Sequence, residues 1–177
     1  IPFGINISNQ KTLYNLPTLP EENLIDFIQN PKNDISINPE YKWVKSYFGS
    51  QAPNYSLLTT GDTPIFGIGF DINPGKFIFS TNYGLSQRAI ESDATFNIVG
   101  AYKQKILATR IGYGKIDGPK FTLNFVKVKD DINSVINTPL YDDPIEGITI
   151  APLIELNIKE KILFKTETAA SIFTSNL

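Results

Sequence analysis

Asp130-Asp131-Ile132-Asn133-Ser134 is a dense run of side-chain oxygens. A hard cation such as Ca²⁺ is held by oxygen ligands at this kind of spacing. Tyr141-Asp142-Asp143-Pro144 is a second acidic run, so Asp130, Asp131, Asn133, Asp142 and Asp143 together form a candidate cation loop if the two runs meet. Neither run has the central glycine and distal glutamate of an EF-hand. The competing reading is a pair of turns rich in Asx caps, and no metal is assigned. Gln87-Arg88-Ala89-Ile90-Glu91 offers a charged pair, Arg88 with Glu91 or Asp93. Arg110 lies between Ala108 and Gly112 on the polar side of an alternating run and needs a carboxylate, which Asp71 or Glu155 can supply. Trp43 with Tyr41 and Tyr47 resembles a sugar-stacking platform, with an interfacial belt or small apolar cluster as the competing use. Gly67-Ile68-Gly69 and Gly112-Tyr113-Gly114 lie inside strand patterns rather than before helices, which removes a nucleotide loop.

The chemistry these groups can do is bounded by what is missing. The 177 residues include no His, Cys or Met. Without thiolates there are no disulfides, no thiolate metal sites and no cysteine nucleophile. Without imidazole the usual neutral-pH base and metal ligand is gone. Carboxylates remain, but no spacing selects the paired geometry of a glycosidase. A carboxylate hydrolase is therefore a minor reading, and neither a catalytic residue nor a cofactor is expected. Sixteen basic against eighteen acidic side chains, net −2, argue against a polyanion partner such as nucleic acid.

The elements that must position these residues fall into two textures. Residues 1–60 are broken by Pro2, Pro17, Pro20, Pro31, Pro39 and Pro53. Pro20-Glu21-Glu22 opens a helix ending at Asn30-Pro31. A second short helix after Pro39 would place Trp43, Val44, Tyr47 and Phe48 at helical spacing; strand alternation through Tyr41, Trp43 and Tyr47 fits the same residues. From Thr63 the period becomes two. Phe66, Ile68, Phe70 and Ile72 oppose Gly67, Gly69 and Asp71 before the turn Asn73-Pro74-Gly75. Leu107, Thr109, Ile111 and Tyr113 oppose Ala108, Arg110 and Gly112. Asp117-Gly118-Pro119 turns the chain into Phe121, Leu123 and Phe125 against Thr122, Asn124 and Val126. Ile148, Ile150, Ile154, Leu156 and Ile158 share a face interrupted by Pro152, and Lys159-Glu160-Lys161 leads into a last strand to about Phe173. The expected fold is all-β, antiparallel up-and-down hairpins with no crossover helices.

Alternation alone fits a soluble sandwich and a membrane barrel equally. The runs 63–72, 105–114, 120–128, 147–158 and 161–173 approach the ~9–11 residues of a membrane-spanning strand rather than the ~5–6 of a soluble one. Their apolar faces are Phe, Ile and Leu with Tyr near the ends, and their polar faces carry few Lys and Glu.

The stretches Thr63-Pro64-Ile65-Phe66-Gly67-Ile68-Gly69, Pro74-Gly75-Lys76-Phe77, Gly84-Leu85-Ser86-Gln87-Arg88-Ala89-Ile90, Gly112-Tyr113-Gly114-Lys115, Val126 through Ser134 and Glu167-Thr168-Ala169-Ala170-Ser171 follow one another between Tyr55 and Ser171. In order and spacing they resemble a family of large, uncharacterised outer-membrane β-barrel proteins of Bacteroidota. The resemblance implies residues 61–177 as hairpins of a transmembrane barrel wall in the bacterial outer membrane, with periplasmic turns and longer external loops. It implies a structural or transport role and no catalytic residues. Residues 1–60 would then plug the lumen or cover one mouth, and Asp71, Arg110, Asn124 and Glu155 would face the lumen. The family's barrels are longer and commonly end on an aromatic residue, so the chain is expected to be an internal segment. Its partners would be the lipid bilayer and the remaining strands of the same barrel or of partner subunits. The alternative is a soluble β-rich binding module on the cell surface, with loops 91–95 and 130–146 as its recognition edge.

Overall fold

The computed structural model describes residues 3–6, 34–95, 98–136, 143–158 and 162–175. Alternating β-branched and aromatic residues take the strand conformation through most of them, because such side chains pack on a pleated surface. The strands are β1 Phe3–Asn6, β2 Asp34–Ile37, β3 Glu40–Tyr41, β4 Val44–Gln51, β5 Ile65–Ile72, β6 Phe77–Gln87, β7 Lys103–Gly114, β8 Lys120–Asp131, β9 Glu146–Ile158, β10 Ile162–Glu167 and β11 Ala170–Thr174. One 3-10 turn, Ile132–Ser134, is capped by the Asp131 carboxylate.

All pairings are antiparallel, in the order β1-β2-β4-β5-β6-β7-β8-β9-β10, with β3 beside β4 and β11 beside β9. The first and last strands of this path are not paired with each other among the described residues, so the sheet is an open up-and-down meander. Its hairpin ends follow the expected turns. Phe77 N donates to Pro74 O at 3.2 Å, and Lys115 N to Pro119 O at 2.9 Å. β10 and β11 continue one register along β9, Glu167 opposite Leu153 and Ala170 opposite Ile150. They are separated only at Pro152, which accepts from Thr168 N at 3.3 Å but has no N–H to return.

The helix expected after Pro39 does not form. Val44–Gln51 pairs with Ile65–Ile72 along its whole length, Val44 opposite Ile72 through Gln51 opposite Ile65. The ladder satisfies the same backbone groups a helix would, and it joins residues 34–51 to the antiparallel sheet. The helix expected near residues 20–30 lies outside the described residues. No helix among the described residues is long and apolar enough to cross a membrane, which says nothing of a β-barrel.

The two faces differ in an unusual sense. Ser80, Thr122 and Asn124 are 0% exposed and Asn82 is 2%, whereas Ile68 is 48%, Tyr83 51% and Phe121 52% exposed. The face that carries the small and polar residues is the buried one, and Ile65, Ile78, Ile106 and Leu153 are buried with them. It is also concave: a Cβ on Gly67 would lie 2.1 Å from Tyr83 O, and one on Gly84 2.3 Å from Phe66 O. Only glycine permits this approach, and facing glycines let a sheet curl toward their side.

Candidate functional site

The register gathers polar residues into one row across the concave face. Asp71 of β5 is opposite Ser80 of β6, Ser80 opposite Arg110 of β7, and Arg110 opposite Asn124 of β8. Three of the four residues expected to face a lumen therefore share this row. Glu155 does not. It lies opposite Lys120 near the 115–119 turn and pairs with it at 3.1 Å, so it is not the partner of Arg110. Asn124 donates to Ala151 O at 3.1 Å.

Asp71 forms no ion pair with Arg110 either. Its carboxylate accepts from the Tyr47 hydroxyl at 2.6 Å. The Arg110 guanidinium donates to Ser80 Oγ at 2.9 Å and stacks 4.8 Å above the Tyr55 ring. Opposite charges thus stand on either side of Ser80, and a cavity of about 240 Å³ opens beside them, lined by Tyr47, Gln51, Tyr55, Asp71, Asn82 and Arg110.

Tyr55 comes from the segment 52–64 between β4 and β5, which folds onto the concave face instead of extending from the sheet. Tyr55 N donates to Thr60 Oγ1 at 2.9 Å and Gly61 N to Ser56 O at 3.0 Å, closing the segment on itself. The Asn82 amide donates to the Tyr55 hydroxyl. Leu58 N donates to Glu167 Oε1 on β10 at 3.2 Å, so the segment straps one side of the curled sheet to the other. Tyr55 also packs with Ile65, Ile106, Ala108 and Val126, the apolar cluster of the interior. Burial, with the Asp71 charge nearby, pushes the Tyr55 hydroxyl above its ordinary range and keeps it neutral.

Gly69 makes room for this arrangement. A Cβ there would lie 1.8 Å from Asn82 Oδ1 and 2.6 Å from Gln51 Oε1. The two carboxamides meet over the bare glycine, where a rotated Gln51 amide would donate to Asn82 Oδ1. Asn82, Gln51, Ser80 and Tyr55 are the site residues the sequence reading did not name. Ser80 and Asn82 carry a readable signal in their alternation along β6; Tyr55 carries none.

The candidate cation loop separates instead of converging. Asp130 faces inward at 9% exposure, accepting from Gln104 Nε2 at 2.9 Å and from Ile145 N at 2.9 Å. Asp131, the next residue along the strand, points to the other face. There it caps the 3-10 turn through Asn133 N and lies 3.4 Å from Lys105. Asp142 lies outside the described residues and Asp143 is exposed. Among the described residues no group of three acidic, His or Cys side chains is placed to hold a metal ion. Glu91 accepts from Ile136 N at 2.7 Å, which joins the loop after β6 to the one after β8.

The aromatic platform is also divided. Tyr41 and Trp43 are exposed at the β3–β4 turn, while Tyr47 points into the concave cavity. The arrangement on the concave face is one of positioned donors, acceptors and opposed charges around a small cavity. In comparisons with known proteins, no family model, curated protein or solved structure matches the chain.

Proposed function

We propose that the chain is a wall segment of a bacterial outer-membrane β-barrel with a structural or transport role and no catalysis. The observation that carries this reading is the inversion of the faces. Ser80, Asn82, Thr122 and Asn124 are buried on the concave side beside Ile65, Ile78 and Leu153, and many Phe, Ile, Leu and Tyr side chains stand exposed on the convex one. A lipid-embedded barrel alternates apolar outward with polar inward in this sense. Between its ends the convex face forms cross-strand rows, such as Val44, Ile72, Phe79, Ile111 and Leu123. Toward the loop end it gives way to Lys105, Lys127, Lys129 and Glu146. On this reading segment 52–64 narrows the interior, and the Asp71–Arg110 row sets the charge that a passing solute meets.

A second reading, a soluble β-rich surface module, is favoured by the apolar cluster that Tyr55 completes on the concave side. The two differ in a simple experiment. The barrel segment needs detergent or lipid to remain dispersed and carries a detergent belt by small-angle scattering with contrast matching. A compact monomer in plain buffer would discard the barrel in favour of the module.

A further inference from the structure

We propose that the turn-end rim of the convex face binds an anionic phospholipid, its acyl chain on the apolar groove and its phosphate between Lys76 and Lys115. This rests on the barrel reading above and extends it to a lipid class. The groove encloses about 380 Å³ and is lined by Tyr113, Phe121, Ile154 and Leu156, with Lys76, Lys115 and Lys120 around it. Tyr113, Phe121 and Ile154 are consecutive cross-strand neighbours, so the groove is the last row of the convex apolar surface before the turns.

The charges choose the occupant. Lys120 is neutralised by Glu155 at 3.1 Å. Lys76 comes from the β5–β6 turn and Lys115 from the β7–β8 turn, and both are exposed. Lys76 holds its ammonium 5.9 Å from the Tyr113 ring centre, at the mouth of the groove. Among the described residues neither lysine is in an ion pair, and Asp117 of the same turn pairs with neither. At the opposite rim carboxylates stand among the lysines: Lys127 and Lys129 share Glu146 at 2.8 Å each, and Lys105 lies 3.4 Å from Asp131. An apolar groove ending at two uncompensated ammonium groups is complementary to an acyl chain ending in a phosphate. A zwitterionic lipid brings its own cation to the same place and loses the advantage.

The test uses the full chain folded into phosphatidylcholine vesicles, with spin-labelled phosphatidylglycerol or phosphatidylcholine as probe. The motionally restricted signal reports the lipid held at the protein. Phosphatidylglycerol is expected to be preferred. Lys76→Gln or Lys115→Gln should each lower that preference about five-fold, and the pair about thirty-fold, at roughly one near-surface lysine's contribution each. Lys76→Arg with Lys115→Arg should retain it, and Lys129→Gln, which removes the same charge at the other rim, should leave it unchanged. Equal retention of both lipids by a chain that enters the vesicles overturns this inference and leaves the barrel reading standing. A chain that enters no vesicle overturns both. Competition by inorganic phosphate as effective as that by phosphatidylglycerol would show a bare anion site and overturn the lipid assignment.

Discussion

Arginine substitutions along β9 read the environment of the convex face by depth. Ile148, Ile150 and Ile154 are similarly exposed, at 39%, 45% and 37%, and all point outward. The apolar stretch of this strand's outer face runs from Ile148 to Leu156, about 26 Å along the strand at ~3.3 Å per residue. At a tilt of about 40° that covers roughly 20 Å of membrane normal, close to the ~25 Å band of outer-membrane barrels. Pro152 marks its middle. Ile150 and Ile154 then lie about 5 Å on either side, while Ile148 lies about 10 Å away, next to the charged cluster around Glu146. In lipid, Ile150→Arg and Ile154→Arg should each cost about 2–4 kcal/mol, and Ile148→Arg about 0–1 kcal/mol. On a water-exposed sheet all three would fall within about 0.5 kcal/mol of one another. Reversible guanidinium unfolding from phosphatidylcholine vesicles, followed through Trp43 fluorescence, supplies the three values. A flat profile across the three positions would refute the placement of this face in a bilayer.

Three further outcomes test the interior and the ladder. Gly69→Ala should displace Asn82 and Gln51, cost about 1–3 kcal/mol as overpacking, and expose segment 52–64 to limited proteolysis; a variant cut no faster than wild type would separate Gly69 from the strap. Tyr55→Phe isolates one titration. The raised Tyr55 hydroxyl keeps its proton in the fold while the unfolded chain loses it above pH ~10, so stability falls as pH rises past that point by about 1.4 kcal/mol per unit. That slope, measured from unfolding midpoints between pH 9 and 11, should be shallower in Tyr55→Phe, and parallel slopes would contradict the burial. Pro152→Ala should supply the missing ladder donor and merge β10 with β11. A protected amide at position 152 by hydrogen exchange is the sign, and rapid exchange there would mean another cause for the break.

Much of the sheet is legible in the residues. β5 through β9 follow the alternation and the turns Asn73-Pro74-Gly75 and Asp117-Gly118-Pro119, because one side-chain period maps to one backbone state. The segment after Pro39 is the counter-example. Trp43, Val44, Tyr47 and Phe48 satisfy both a helical and a strand spacing, and pairing with β5 decides between them, a contact no local window contains. Parity alone brings Asp71, Arg110 and Asn124 to one face. It cannot say which row each occupies, so Glu155, with the same parity, was an equal partner for Arg110 until the register put it opposite Lys120. Asp130 and Asp131 show the converse. Adjacent residues in a strand diverge, and a dense acidic run becomes a cation site only if it lies in a loop.

Parity is also blind to sign, since an alternating strand reads the same whichever face is buried. The sign comes from curvature, and the curvature from glycine. Gly67 and Gly84 face each other where any Cβ would collide with backbone, so the open sheet curls toward the side carrying Ser80, Asn82, Thr122 and Asn124. Bonds among its members and to the strap offset part of the cost of burying that side (Arg110 to Ser80, Asn82 to Tyr55, Asn124 to a β9 carbonyl), while Thr122 Oγ1, Asn82 Oδ1 and Asn124 Oδ1 are buried without a partner. The consequence falls on the other side. Ile68, Tyr83, Ile111, Phe121, Ile150 and Leu156 are each left near half exposure. In water each would forgo on the order of 1 kcal/mol of burial. A sheet bent the opposite way would recover that energy, and the bilayer proposed above is a setting in which the glycine-set direction of curl costs nothing.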